Sequence, residues 1–363
     1  MGIKSSFNKF LKDMCSEIFV ATHISEYAYK KVAIDVSLYL HKFKAVCGDR
    51  WLSAIIGLIS SLRNNEIHCV FIFDGKAPPE KELEREKRRD TRKKLEEHLY
   101  KLEEAFEEYS KTGVIRECIK ELCNRRRSPQ HKRLLSKMSS NIDMKWVEIK
   151  IKQRRNQLYE INPNDFNIVK ELLDILKVPF YTAPWEAEKM CAKLCIDGKV
   201  DAVMSEDTDV MAYGAPVFLT KFESSTNTCV SITHSSILDC LGIDKDKFLD
   251  LCIMCGTDYN HNIPRVGSKT AYKNIIKHGN IEQISNETEL DVSILNHVRV
   301  RQLFTEFDDY KLDNIPFCGV PDFEKLDKFN IDNKVYVNIQ DIRKNFEQKD
   351  ILFEDSDEEK ETE

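Results

Sequence analysis

The sequence predicts an α/β fold with a central, largely parallel sheet flanked by helices, and three observations lead to this prediction. Short apolar stretches that are typical of buried strands recur along the chain. Stretches with the spacing of amphipathic helices separate them, which is the order of elements in parallel sheets. Several of the apolar stretches also end on acidic residues. Because ligands of open α/β sheets bind beyond the carboxyl ends of the strands, these acids mark a candidate site.

The first two predicted strands each reach an aspartate. Residues 30–37 are largely apolar and contain Asp35 near their end, and residues 52–62 then have the apolar spacing of a helix. Residues 67–75 form a second apolar stretch, which reaches Asp74. This succession of strand, helix and strand is typical of a parallel α/β unit.

The third predicted strand leads directly into a group of acids. Val200–Met204 is short and apolar, and Glu206, Asp207 and Asp209 follow it closely. Carboxylates beyond a strand end are suited to binding a hard cation. One such stretch is a weak signal, because Asp is also common in ordinary turns.

Two predicted helices bring further acids. Pro184 is the predicted first residue of a helix that carries Glu186 and Glu188 in its first turn, and Asp258 follows a helix predicted for residues 247–255. Residues i and i+2 do not share a face of a regular helix. We therefore expect an irregular first turn, with one of the two glutamates acting through water.

The other predicted elements complete the α/β pattern. They are a helix over residues 7–14, a helix over 168–176, an extended piece over 178–181, a strand pair over 217–220 and 229–232, and a tight hairpin that opens a helix over 262–271. Beyond about Asn280 the pattern is weaker.

Seven carboxylates would converge if these elements pack as predicted: Asp35, Asp74, Glu186, Glu188, Asp207, Asp209 and Asp258. Two unit charges 4 Å apart repel by roughly 4 kcal/mol at an effective dielectric near 20, and too few nearby Lys and Arg residues neutralise them. For any single acid, a surface turn or helix cap is a sufficient explanation. Convergence of all seven instead predicts divalent cations, and oxygen ligands favour Mg²⁺ or Mn²⁺ over Zn²⁺.

Charge is distributed unevenly along the chain. Residues 81–155 contain 23 Lys and Arg against 14 Asp and Glu, a net charge of +9, while the remainder carries 32 basic and 47 acidic residues, a net charge of −15. A basic segment within an acidic protein indicates a polyanionic partner that binds locally. Together with the acids, it suits two-metal phosphodiester chemistry, in which bound cations activate water and stabilise charge on the phosphate.

Part of that basic segment is a predicted helix. Residues 80–108 contain no Gly or Pro and consist mostly of good helix formers. Four cations would share one face of this helix: Lys81, Arg85, Arg88 and Arg92. Two explanations are open, namely a solvated helix stabilised by i,i+4 ion pairs such as Glu84 with Arg88, or a face that meets phosphates beside the acids.

Composition and the cysteines exclude several classes of protein. There is no run of 18 apolar residues and no signal-peptide pattern, so we expect no membrane partner. The 12 cysteines are scattered, and Cys252 and Cys255 form a C-x-x-C without the second pair of a zinc site. We therefore expect reduced core thiols in an intracellular protein.

Six short motifs follow one another along the chain: Met1-Gly2-Ile3, Val32-Ala33-Ile34-Asp35-Val36-Ser37, Phe73-Asp74-Gly75-Lys76, Pro184-Trp185-Glu186-Ala187-Glu188, Glu206-Asp207-Thr208-Asp209 and Gly256-Thr257-Asp258-Tyr259. Their types and order resemble the flap endonuclease/XPG family of structure-specific 5′ nucleases. The likeness covers residues 1 to about 95 and 165 to 280.

This resemblance implies a PIN-like 5′-nuclease fold with a helical arch insertion and a helix-hairpin-helix (H2TH) element that binds DNA. It implies two Mg²⁺ ions per subunit, replaceable by Mn²⁺, held by the seven acids. Lys81 and Arg88 would be catalytic cations at the scissile phosphate, with Arg85 and Arg92 contacting DNA on the same face. Gly2 would lie near the active site after removal of Met1.

The hairpin carries both a likeness to the family and a departure from it. Residues 263–271 look like the H2TH element, in which backbone amides and Lys269 would hold duplex phosphates. The family pattern Gly-hydrophobic-Gly reads Arg265-Val266-Gly267 here, so Arg265 would itself take up a phosphate beside Gly267.

Two further departures concern partners. His41 stands where flap endonucleases commonly place a base-stacking Tyr, and residues 348–353 only loosely match a sliding-clamp box. We therefore leave a clamp partner open. The spacer from Asp74 to Glu186 is long for a compact flap endonuclease, which favours a larger arch.

The expected domain organisation follows the motifs: an N-terminal nuclease region over 1–95, a basic arch over 80–164, an internal nuclease region with the hairpin over 165–285, a C-terminal region over 286–353 and an acidic disordered tail over 354–363. The predicted function is that of a Mg²⁺-dependent 5′ flap endonuclease with 5′-exonuclease activity. It would act as a monomer on branched or flapped DNA in replication, recombination or repair.

Two alternatives stay open at this point. One is an RNA-directed 5′-exonuclease, and the other is a catalytically idle scaffold that binds DNA junctions. The expected location is the nucleus, or the host nucleus for a viral member.

Overall fold

The computed structural model describes residue 3 and residues 5–125, 143–307, 312, 314–335, 337–340 and 342–343. Gly2, the clamp-like residues 348–353 and the acidic residues 354–363 lie outside the described residues. The chain forms two compact units, one built from Met1–Leu40, Leu52–Glu82 and Asn162–Glu363, and the other from His41–Trp51 and Leu83–Ile161.

A seven-stranded sheet forms the centre of the first unit. Its strands are β1 (Val20–His23), β2 (Lys31–Asp35), β3 (His68–Phe73), β4 (Phe180–Thr182), β5 (Ala202–Met204), β6 (Val217–Glu223) and β7 (Thr228–Thr233), in the spatial order β1-β7-β6-β5-β2-β3-β4. Strands β6, β5, β2, β3 and β4 are parallel, whereas β7 pairs antiparallel with β6 and β1. The predicted α/β fold with a largely parallel sheet is confirmed.

Helices are present in both units. In chain order they are α1 (Ser5–Met14), α2 (Val36–Cys47), α3 (Trp51–Asn64), α4 (Glu82–Thr112), α5 (Glu117–Arg125), α6 (Met144–Gln157), α7 (Pro163–Ile175), α8 (Ala187–Ile196), α9 (Asp209–Ala212), α10 (His234–Leu241), α11 (Lys245–Cys255), α12 (Ser268–His278), α13 (Ile281–Glu287), α14 (His297–Thr305) and α15 (Phe323–Asp332). The central strands are almost wholly buried, as expected of parallel strands covered on both faces.

The register of the central strands sets the position of the acids. Ile34 of β2 pairs with Phe71 of β3 on one side and with Met204 of β5 on the other, all in parallel. The three strands therefore end at the same edge of the sheet. Asp35 is the last residue of β2, and Asp74 directly follows β3.

The second unit is helical and has a small core of its own. Helix α4 runs without interruption for 31 residues, as expected from a stretch without Gly or Pro. Leu99 and Leu102 of α4 pack with Ile119 of α5 and with Val147 and Ile151 of α6.

Residues 36–64 contain an 18-residue window with a mean hydropathy of 1.3, which is in the range of membrane-crossing helices. They fold instead as α2 and α3, of 12 and 14 residues, separated by a 3₁₀ turn at Gly48–Arg50. Each helix is shorter than the roughly 20 residues that span a bilayer. The apolar side chains of α3 serve the core, where Ile56 and Leu62 are fully buried.

Several elements were not predicted, and two groups of them illustrate the reason. Strand β1 exposes three of its four residues, so it has no apolar pattern, and its pairing with β7 is what makes it a strand. Helices α13, α14 and α15 fall where the sequence pattern is weak. They are short and bury few residues each, such as Ile281 and Ile284 in α13.

One helix start differs from the prediction. Pro184 and Trp185 lie in a bend, and α8 begins only at Ala187. The reason is a backbone pairing with the segment after β3. The N–H of Gly75 donates to the carbonyl of Trp185 (2.6 Å), and the N–H of Lys76 donates to that of Pro184 (3.1 Å).

The expectation of reduced thiols is wrong for one pair. Cys15, just after α1, forms a disulfide with Cys240 of α10, 225 residues later. The scattered sequence positions give no sign of this pairing, which depends on the packing of distant elements. The other ten cysteines are free thiols, and Cys252 and Cys255 are buried in α11.

The backbone pairing at Gly75 generates a prediction. A Cβ on Gly75 would overlap the carbonyl of Ala183 and lie 2.6 Å from that of Pro184, so Gly75→Ala should destabilise the fold by more than about 2 kcal/mol. The matched control is Gly57→Ala in α3, where an added Cβ has nothing within 4 Å and should stabilise by about 0.5–1 kcal/mol. Urea unfolding of both variants measures the difference. Equal changes in the free energy of unfolding for the two variants would contradict the close approach of Gly75 to the carbonyls of Ala183 and Pro184.

Candidate active site

Two of the predicted acids are fixed at the ends of β2 and β3. Asp35 is 2% exposed, and its Oδ1 accepts a hydrogen bond from the N–H of Ser37 (2.8 Å). Asp74 Oδ1 accepts from the N–H of Ala187, the first residue of α8 (2.8 Å). The second bond ties the end of β3 to the helix start that carries the two glutamates.

Glu186 and Glu188 occupy different positions at that helix start. Glu186 is the N-cap residue and has extended backbone (φ −88°, ψ 140°), whereas Glu188 is the second residue of α8. The change from extended to helical backbone removes the restriction that separates residues i and i+2 on a regular helix. The predicted irregular helix start is present.

The last three acids come from turns that follow β5 and α11. Asp207 lies in the turn after β5, and its Oδ1 accepts from the N–H of Asp209 (3.0 Å). Asp209 opens the short helix α9. Asp258 lies three residues beyond α11, and all three side chains are buried.

Electrostatics shows that the acids lie within range of one another. Burial, and next the charge of Asp74, raise the pKa of Asp35 well above its ordinary range. Burial and then Asp35 do the same to the pKa of Glu188. Burial and then Asp207 raise the pKa of Asp209. The structure thus brings the predicted acids to one edge of the sheet.

Lys81 lies among these acids. Its Nζ forms an ion pair with Glu186 Oε1 and lies 3.7 Å from Asp258 Oδ2 and 5.6 Å from the centre of the Tyr259 ring. Burial on its own lowers the pKa of Lys81, but Glu186, Glu188 and Asp258 raise it on balance. Lys81 is therefore a fixed positive charge beside Glu186, Glu188 and Asp258.

The sequence did not single out two tyrosines at this site. Tyr259 donates its hydroxyl hydrogen bond to Glu186 Oε2, and the hydroxyls of Tyr259 and Tyr213 are also hydrogen-bonded. Burial raises the pKa of Tyr259 well above its ordinary value, so it stays a donor. Tyr259 directly follows Asp258 in the sequence, which was an available signal. Tyr213 had none.

The donor set fits divalent cations. Asp209 Oδ1 is buried and, among the described residues, has no hydrogen-bond partner. The oxygens of the seven acids are the ligand type that Mg²⁺ and Mn²⁺ prefer. Within the described chain, Cys15, Glu17 and Cys240 alone bring three candidate ligand atoms within 4.8 Å of one another, and the two sulfurs are already bonded together. The seven acids are thus spread around their site rather than gathered at one point.

The hairpin residues belong to the first unit. Arg265 has a φ of +65°, so the backbone adopts the left-handed conformation where the family pattern has glycine. Gly267 is the extended N-cap residue of α12, and Lys269 lies 3.5 Å from Asp13 of α1. The position of the lost glycine therefore keeps a glycine-like backbone.

The remaining predicted DNA contacts lie in the second unit. His41 is exposed on α2, and Arg85 and Arg88 are exposed on α4. Arg88 Nε pairs with Glu84 (3.3 Å), as the solvated-helix explanation predicts. Arg92 donates to the carbonyl of Leu158 (2.5 Å) and so ties α4 to the end of α6.

The raised carboxylate pKa values predict how stability depends on pH. An Asp whose pKa is raised by folding keeps its proton while the unfolded chain loses one, so stability falls as pH rises from about 3.8 towards the raised value. In EDTA, Asp209→Asn should therefore be more stable than the parent protein at pH 8, by at least about 1 kcal/mol, roughly one pKa unit. Urea unfolding at pH 5 and pH 8 measures this. A variant less stable than the parent at pH 8 would contradict the prediction.

Comparison with known proteins supports the resemblance of the motifs to the flap endonuclease/XPG family. The chain matches the XPG N-terminal domain over residues 1–95 and the XPG I-region over residues 177–258. The probable RAD2-like endonuclease 369L of Invertebrate iridescent virus 6 is 30% identical over an alignment of 398 positions. The alignment covers 98% of this chain and 94% of that protein. Flap endonuclease 1 of Zea mays is 30% identical, with coverage of 80% and 70%.

Solved structures share the fold. The catalytic core of Rad2 in complex with a DNA substrate has a TM-score of 0.62 at 18% identity, covering 92% of this chain and 96% of that one. Flap endonuclease-1 from Methanococcus jannaschii has a TM-score of 0.56 at 22% identity, covering 90% and 94%. The motifs, the site and the full-length relatives agree, and the chain belongs to the flap endonuclease/XPG family of structure-specific nucleases.

Proposed function

We propose that the protein is a Mg²⁺-dependent endonuclease that cuts 5′ flaps at DNA junctions and also removes nucleotides from 5′ ends. The observation that carries the proposal is the group of acids at the ends of β2, β3 and β5, most of them buried, with the ammonium of Lys81 among them. Such a charge excess is suited to cations and, through them, to a phosphate. The proposed setting is nuclear DNA in replication, recombination or repair.

The acids would hold two Mg²⁺ ions. Bound there, divalent cations supply an activated water and stabilise the charge that develops on the phosphate. The chain itself fixes the ligands: Asp74 is held by the backbone of Ala187, and Glu186 by the hydroxyl of Tyr259. Lys81 stays protonated because its pKa is raised. Its positive charge would lie beside the scissile phosphate and stabilise the charge that develops there.

DNA as the substrate is supported by charge and by the fold. The basic segment over residues 81–155 suits the phosphate backbone, which any sequence presents equally. The catalytic core of Rad2 was solved with a DNA substrate, and human GEN1, another structure with this fold, was solved with Holliday junction DNA. Recognition would depend on the shape of the junction.

The test uses a 5′-labelled double-flap DNA and the matching RNA flap, each with Mg²⁺ and with EDTA. We expect cleavage of the DNA at its junction, which needs Mg²⁺. Asp207→Asn removes one buried charge at the cation site and should lower the rate at least about 100-fold. Circular dichroism should show an unchanged fold.

Two results would overturn the proposal. Preferential cleavage of the RNA flap would favour an RNA-directed 5′-exonuclease. Junction binding without Mg²⁺-dependent cleavage would favour a scaffold.

A second prediction concerns Arg88. If its guanidinium stabilises charge at the phosphate, Arg88→Ala should slow single-turnover cleavage roughly 100-fold while changing the Kd for flap DNA much less. Arg89→Ala is the matched control, since Arg89 is also exposed on α4 and also pairs with a nearby glutamate. Equal rates for the two variants would remove Arg88 from the proposed catalytic groups.

A further inference from the structure

A cavity of about 210 Å³ lies beside the carboxylate site, and the chemistry proposed above does not use it. Glu186 and Tyr259 line it on one side, so it adjoins a proposed cation ligand directly. Trp185, Leu303 and Phe307 add an apolar wall. The cavity opens to solvent, since Trp185 is 37% exposed and the Arg299 side chain 46%.

Trp185 is held firmly at the mouth of this cavity. Its carbonyl accepts the hydrogen bond from the N–H of Gly75 (2.6 Å), and the preceding Pro184 accepts from Lys76. These bonds fix the backbone from which the indole extends, and part of the ring is open to solvent. A large aromatic ring that is partly exposed is suited to stacking against a flat ligand.

Polar side chains on another part of the lining are already held by hydrogen bonds and an ion pair. Arg299 Nε pairs with Glu80 Oε1 (2.7 Å), and its Nη1 donates to Gln302 Oε1 (3.4 Å). Gln302 lines the cavity, so the guanidinium and the amide are oriented along one wall. Such groups can donate to and accept from the edge of a heterocycle.

Charge around the cavity argues against an anion as its occupant. Lys189 and Arg299 bring positive charge, and Glu186 and Glu306 bring an equal amount of negative charge. A phosphate would meet as many acids as bases. A neutral, flat and partly polar ring fits the lining better.

The size of the cavity further limits which ligands fit. Its volume of about 210 Å³ is small beside drug-sized pockets of about 300–1,000 Å³. One heterocyclic base is of this order, whereas a base pair is not. The lining, the size and the adjacent cation ligand all point to a single base of a nucleic acid strand.

We propose that this cavity receives one unpaired nucleobase of the substrate, stacked on Trp185, from the nucleotides next to the scissile phosphate. The inference rests on the proposed function and adds a base-binding subsite to it. Stacking of a base on an aromatic side chain contributes about 1–3 kcal/mol and accepts any base, since each has a π face. The subsite would fix which phosphate reaches the acids, because Trp185 and Glu186 are adjacent in the chain.

The test uses flap DNA with the fluorescent base 2-aminopurine at single positions near the junction, bound in Mg²⁺ to protein that carries Asp207→Asn, which we expect to cut slowly. We expect quenching on binding at one position, lost in Trp185→Ala and kept in Trp185→Phe. Tyr29→Ala is the control, because Tyr29 is an exposed aromatic residue that precedes β2, away from the edge where the strands end.

Cleavage provides the second measurement. An abasic residue at the quenched position should slow the parent protein in Mg²⁺ by roughly 5- to 150-fold, the range that 1–3 kcal/mol gives. The same abasic residue should have no further effect in Trp185→Ala, since both changes remove one interaction.

The outcomes separate the subsite from the proposed function. Junction cleavage with quenching that Trp185→Ala leaves intact, or with additive effects of the two changes, would overturn the subsite alone. If the parent protein neither binds nor cuts flap DNA, the proposed function falls and the subsite falls with it.

Discussion

Mutual repulsion among buried carboxylates is the constraint on which this site depends. Parallel strands that end at one edge bring Asp35, Asp74 and the turn after β5 together, and burial raises the pKa of Asp35, Asp207 and Asp209. Neighbouring contacts hold these charges in place: a backbone N–H on Asp74, a tyrosine hydroxyl on Glu186 and one lysine ammonium. The fold keeps an arrangement that is unfavourable without cations, which is typical of a site selected for activity at some cost in stability.

The sequence predicted much of the sheet and of the acid group, for a physical reason. Strands buried on both faces read as continuous apolar runs, and an acid just beyond such a run stands out. Asp35 and Asp74 were recognisable in this way from local residues alone. Glu186 and Glu188 needed the additional argument about helix faces.

What the sequence missed depends on contacts between distant residues. Strand β1 is formed by its pairing with β7, and the non-helical backbone at Pro184 by its pairing with Lys76. The hydrogen bond of Tyr213 to Tyr259 joins residues 46 positions apart. The partner of Lys81 was missed for the same reason: helical spacing placed Lys81 on a cationic face, but Glu186 lies far away in the chain.

The disulfide between Cys15 and Cys240 has a topological consequence. It closes a covalent ring that contains the whole second unit and all seven strands of the sheet, so a single cut in the backbone anywhere inside it would leave two fragments still joined. With the disulfide formed, the covalent structure is a ring with two tails, whereas reduction of this one bond leaves a linear chain of the same sequence.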